Sequence, residues 1–154
     1  PHRRVIPVGP GAPAPAGKVT VVIGALVFWI TDLLTFCNAY VAVFTAALGC
    51  PVPPMKANEQ LKWLTSNEGK MAGWTELVGG AARALAVERV SLGYPTVAVA
   101  VELPHGHIGM MMPPPLTDPK GAYVSAAGKS NFVYDKMEKS FGHLTASCRF
   151  FTHN

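Results

Sequence analysis

The chain has 154 residues, with 13 lysines and arginines against 9 aspartates and glutamates, and only 14% of it is charged while 49% is hydrophobic. An average soluble domain is about 25% charged, and a short chain has much surface to cover relative to its volume. The composition therefore points to a single domain that sits in lipid or is buried among partner subunits. The cations are scattered, with no long like-charge run and no basic patch interleaved with aromatics, which excludes a nucleic-acid partner from the expected ones.

Residues 1–18 read as a basic and then Pro-rich arm, with His2, Arg3 and Arg4 ahead of Pro7, Pro10, Pro13 and Pro15. Proline fixes φ and removes donors, so an extended arm is expected. An amino-terminal proline can act as a base in tautomerases, but there an amphipathic strand follows at once. Here the arm follows, and Pro1 is read as the result of a removed leader or a late start.

The dominant feature is 19–49, VTVVIGALVFWITDLLTFCNAYVAVFTAALG, in which Asp32 is the single charged residue. A bilayer core needs about 20 apolar residues, and a strand does not run this long. The segment is expected to be a first transmembrane helix, with lipid as its solvent. A pleated strand followed by a separate helix over the same residues would defeat that reading.

Residues 51–70 open with Pro51, Pro53 and Pro54 and continue into a short helix around EQLKWL, placed at the membrane interface by Trp63. In 71–88, Met71, Trp74, Leu77 or Val78, Ala81 and Leu85 recur at helical spacing among small residues. Small residues favour close helix approach in membranes, so 71–88 is the expected second span. The apolar run 90–112, interrupted by Pro95 and Pro104, is the third. Residues 139–152 make a poor fourth, because Lys136, Glu138, Lys139, His143 and Arg149 crowd it. The expected fold class is thus all-α, an integral membrane bundle of three to four helices. Counting lysines and arginines on the two sides leaves its orientation undecided.

Within such a bundle ionisable residues attract attention, since a charge at bilayer depth costs about 2.5–3.5 kcal/mol on insertion scales. Asp32, Glu76, Arg83 and Glu102 are the candidates. Glu76 and Arg83 share a helical face but would stand about 10 Å apart, so each is expected to pair with another element. Asp32 reads either as a proton-relay carboxylate or as a hydrogen-bonded helix cap. The segment LPHGHIGMMM, 103–112, places His105 and His107 beside Met110, Met111 and Met112. Imidazole and thioether suit copper, and a quinone site is the other option there. His-x-His converges only in an extended segment, however, and in a helix the two rings diverge by about 200°. No cofactor is therefore assigned, with copper or quinone held open at His105, His107 and Met110. Cys37, Cys50 and Cys148 lack any zinc spacing and read as free thiols, a Cys50–Cys148 bridge remaining open. There is no G-x-S-x-G elbow, P-loop, H-E-x-x-H or dinucleotide fingerprint.

The stretch TELVGGAARALAVERVSLGYPTVAVAVELPHGHIGM resembles the DoxX/DoxD family of small four-helix membrane proteins, with Glu76, Gly79, Gly80, Arg89, Leu103, Pro104 and Gly106 in comparable order. The family's histidine precedes Leu-Pro, whereas Glu102 stands there in this chain and His105 follows. The resemblance implies membrane residence in a bacterial or organellar inner membrane and a role beside redox complexes. It assigns no catalytic residue.

The leading expectation is an accessory subunit of a respiratory or photosynthetic membrane complex, partnered by other membrane subunits and lipids and more a structural component than an enzyme. A membrane redox component working with quinone or metal is the second reading. A soluble α/β domain is the third, with buried strands over 19–30 and 96–103, because VTVVI and TVAVAVEL are β-branched and short apolar runs do not distinguish strand from buried helix.

Overall fold

The computed structural model describes residues 6–8, 18–23, 26–31, 36–127 and 131–154. Its architecture replaces the expected helical bundle with an antiparallel sheet covered by helices. The apolar run 19–49 divides into strands and a short helix. Strand β1 (Ile6–Val8) and β2 (Lys18–Ile23) both pair antiparallel with β3 (Leu26–Thr31), giving a small sheet ordered β1-β3-β2. Helix α1 (Phe36–Ala47) follows, only 12 residues long.

After α1 come α2 (Ala57–Thr65), α3 (Asn67–Met71), β4 (Trp74–Leu77), α4 (Ala82–Ser91), β5 (Thr96–Ala100), β6 (His107–Met112), β7 (Tyr123–Ala126), β8 (Phe132–Lys136), α5 (Met137–Phe141), a 3-10 turn (Gly142–Ser147) and β9 (Arg149–His153). The six strands from β4 onward form one sheet in the order β4-β9-β5-β6-β7-β8, each neighbour antiparallel.

These findings correct the membrane reading. The supposed second span, 71–88, holds a strand and most of α4, and Met71 is exposed. The supposed third, 90–112, is the end of α4 followed by the β5–β6 hairpin, and 139–152 crosses the end of α5, the 3-10 turn and β9. Among the described residues no helix is long and apolar enough to cross a membrane. The multi-pass accessory subunit and the transmembrane assignment fall with those helices. The α/β alternative, with strands inside 19–30 and 96–103, is the reading that the fold favours.

The cause of the error is visible in β5. Its five residues, TVAVA, are all buried, because helices cover both faces of the sheet. A strand covered on both sides carries no polar alternation and reads as a continuous apolar run, as lipid-embedded segments do. Its alternation is one of size. Val97 and Val99 enter a core with Ile108, Met110, Phe151 and Trp74 beneath α1 and α2, whereas Ala98 and Ala100 enter a core with Met111, Val124 and Phe150 beneath α4 and α5.

The helices follow from their own spacing. In α2 the buried residues are Ala57, Gln60, Leu61 and Leu64, one stripe of a 3.6-residue period. The Glu59 carboxylate accepts the Lys56 backbone N–H at 3.1 Å, satisfying a donor at the helix start. In α4 the stripe is Ala86, Val87 and Val90, and in α5 it is Met137 and Phe141, four residues apart. Side chains tie α1 to the rest. Asn38 donates to the Met55 carbonyl at 2.8 Å, the Gln60 amide donates to the Asn38 and Pro53 carbonyls at 3.0 Å each, and Tyr40 meets Ser125 of β7 at 2.6 Å. The cysteines Cys37, Cys50 and Cys148 are free.

Candidate functional site

Two groups of polar side chains gather at the face covered by α4 and α5. The first is the end of the sheet where β5 turns into β6. The turn carries a cis peptide bond between Leu103 and Pro104, and Gly106 at φ +66. A Cβ at Gly106 would overlap the Asn58 amide oxygen and come within 2.9 Å of the Ala100 carbonyl, so a glycine is required on two grounds. Asn58 donates to the Glu102 backbone carbonyl at 3.1 Å and pins the turn to α2. The Glu102 carboxylate holds His143 Nε2 at 3.0 Å.

His107, the first residue of β6, points to the opposite face of the sheet from Ile108. Its Nε2 lies 2.9 Å from Ser140 Oγ, and its ring meets the Phe141 ring edge-on with centroids 4.5 Å apart. On the same face of β6 lies Gly109, where a Cβ would crowd the Ala126 methyl and the Ser125 carbonyl at 3.3 Å each and would meet the Phe141 ring at an ordinary 3.6 Å. Burial pushes the His107 pKa down from 6.5, the Glu102 charge opposing it in part, so the imidazole is neutral at pH 7.

The second group lines an open cleft of about 380 Å³ formed by Arg83 of α4, Asp118, Lys120, Gly121 and Ala122 of the segment before β7, Lys136 of β8, and Glu138 and Lys139 of α5. The segment 118–121 is a tight turn closed by the Gly121 N–H on the Asp118 carbonyl at 3.0 Å. Arg83 pairs with Glu138, Lys136 with Asp118 at 3.2 Å, and Lys139 with Asp135 at 2.9 Å. The Lys136 ammonium beside Asp118 holds that carboxyl below its usual range, and Asp118 in turn raises Lys136. Burial raises the Glu138 pKa, but the bond from Arg83 and the surrounding cations outweigh it and keep the carboxylate ionised. Lys120 has no acidic partner among the described residues.

The residues singled out from the sequence disperse. Asp32 lies outside the described residues. Glu76 and Arg83 each find another element: Glu76 takes Arg149 through two bonds of 2.7 Å at the β4–β9 edge, and Arg83 takes Glu138. Glu102, His105 and His107 do share the sheet end, but His107 turns toward Ser140 while His105 keeps its Nδ1 buried without a partner among the described residues. Met110 is 2% exposed in the core of the α1–α2 side, away from His107 on the other face. No group of three or more His, Cys, Asp or Glu able to hold a metal occurs among the described residues. Of the residues held open for copper or quinone, His107 and Met110 therefore stand on opposite faces of the sheet.

Sequence reasoning missed Ser140 and the cleft. The charges that spoiled a fourth span, Lys136, Glu138 and Lys139, are those that build the cleft. Their meeting with Arg83 and Lys120 is a product of topology, since β8 and α5 return beside α4. No family model matches the sequence, and a comparison with curated proteins returned no match.

Proposed function

We propose that the protein binds a compact, phosphate-bearing small molecule in the cleft between α4, α5 and the 118–121 turn. One observation carries this reading: four cations drawn from four separate segments surround a single concavity that holds two carboxylates. The arginine offers a planar fork suited to a phosphate, and the lysines offer point charges. A volume of about 380 Å³ falls within the range of ordinary small-ligand pockets, about 300–1,000 Å³. Asp118 and Glu138 hold Lys136 and Arg83 in place in the free protein, and an incoming anion competes with them for those cations.

Isothermal titration with pyrophosphate tests the reading. Binding is expected to weaken by roughly tenfold or more when Lys120 and Lys136 are both replaced by Ala, and to weaken further as salt screens the exposed charges. Asp118→Asn is expected to tighten it, because Lys136 is then free. Because both acids titrate below their ordinary range, affinity is expected to rise only as pH falls beneath the usual carboxylate values. Absent binding, or binding indifferent to all three substitutions, contradicts the proposal.

A further inference from the structure

We propose that Ser140 is a nucleophile activated by His107, and that the sheet end they share carries out acyl transfer from carboxylic esters with good leaving groups. The proposal is independent of anion binding in the cleft.

The hydroxyl's partner is the first ground. Helical serines and threonines elsewhere in this chain turn back on their own backbone: Thr45 to the Val41 carbonyl at 2.7 Å, Thr65 to Leu61 at 3.0 Å and Ser91 to Val87 at 2.7 Å. That is the ordinary use of a hydroxyl inside a helix. Ser140 instead meets an imidazole 33 residues away in sequence, at 2.9 Å. In the tautomer that carries its proton on Nδ1, Nε2 accepts from the serine, which is the arrangement of nucleophile and general base.

The second ground is how the base is held. Phe141, the neighbour of Ser140 on α5, packs edge-on against the imidazole, so the helix that presents the nucleophile also fixes the ring. Burial keeps that ring unprotonated at pH 7. The nearby carboxylate, Glu102, is hydrogen-bonded to His143 and acts on His107 through its field rather than by contact. The pair is thus a dyad, and substrates whose leaving group needs little help suit it.

The chemistry balances without a cofactor. As Ser140 Oγ bonds to the ester carbonyl carbon, its proton passes to His107 Nε2. The bond from that carbon to the leaving oxygen then breaks, and the alcohol departs with the proton from the imidazolium. Water, giving a proton to the same nitrogen, attacks the acyl-serine, releases the carboxylic acid and restores the hydroxyl.

The test is labelling of the full chain with a fluorophosphonate and with p-nitrophenyl acetate, mapped by peptide mass spectrometry. Ser140 is expected to carry the label, and Ser140→Ala to abolish it there with an unchanged thermal midpoint. His107→Gln should slow labelling by about 10²-fold or more, the usual contribution of a general base. The wild-type rate should fall in acid with a midpoint below 6.5, the ordinary histidine value. Should His107→Gln fail to fold, Ser140→Cys gives the same information. Its thiol is expected to react with iodoacetamide at neutral pH far faster than Cys148, whose pKa burial pushes up to about 12. A wild-type protein that leaves Ser140 unlabelled, a rate indifferent to His107→Gln, or a Ser140→Cys thiol no faster than Cys148 overturns the proposal.

Discussion

The two faces of the six-stranded sheet share their strands and differ in the size of what they bury. Beneath α1 and α2 lie Val97, Val99, Ile108, Met110, Phe151 and Trp74, closed by Leu61 and Leu64 of α2. Beneath α4 and α5 the same strands present Ala98, Ala100, Met111, Val124 and Phe150, with Gly109 beside Phe141. Large side chains hold their helices with wide apolar contact, each burial worth about 1.5–3 kcal/mol. On the second side the helices also meet polar partners, Arg83 of α4 with Glu138 and Ser140 of α5 with His107. The cleft and the Ser140–His107 pair both stand on that second side. Both faces bury a core, and the second also carries the groups proposed to bind and react.

Removal of a large side chain should injure the first face most. Phe151 is fully buried, and Phe151→Ala is expected to cost about 3–5 kcal/mol in urea unfolding. The second face should respond to the opposite change. Ala98 is also fully buried, and Ala98→Leu is expected to cost about 1–3 kcal/mol by crowding α4, again read from the urea midpoint. A neutral Ala98→Leu would break the contrast in packing between the faces.

A smaller effect comes from His107. Its pKa is lowered in the folded chain, so the unfolded chain binds the proton more readily. The stability that follows is complete above pH 6.5, the unfolded value, and is lost as pH falls from there toward the folded pKa. Unfolding midpoints measured across this window should show that loss in the wild type and lack it in His107→Gln. The smallest change is expected from Asp118→Asn. The Lys136–Asp118 pair is exposed and screened, so the urea midpoint should hold still while the pyrophosphate affinity moves.

The sequence is legible where local spacing decides structure. The short helix after Asn58 is α2, and the β-branched runs VTVVI and TVAVA mark β2 and β5. It misleads where burial on both sides removes the polar residues that usually punctuate a sheet. Residues 96–100 and 107–112 then resemble a membrane segment, although each is too short to be one and a turn with Pro104 and Gly106 separates them. Trp74 to Leu77 matches a helical period by coincidence, and β9 supplies the tertiary pairing that makes it a strand. The histidine pair stands out in the sequence but its partner does not, since nothing local connects His107 with a serine on a helix 33 residues later. The cleft is illegible for the same reason. Arg83, Lys120 and Lys136 are distant in sequence, and only the return of β8 and α5 beside α4 joins them.

The division between the faces is tested most directly by backbone amide shifts in a two-dimensional nitrogen–proton NMR titration with pyrophosphate. Shifts are expected to move at Arg83, Lys120, Gly121, Lys136 and Lys139, while the amides of α1 and α2 stay in place. Movement concentrated in α1 and α2, or none at the cleft at saturating ligand, would contradict the assignment of binding to the small-residue side.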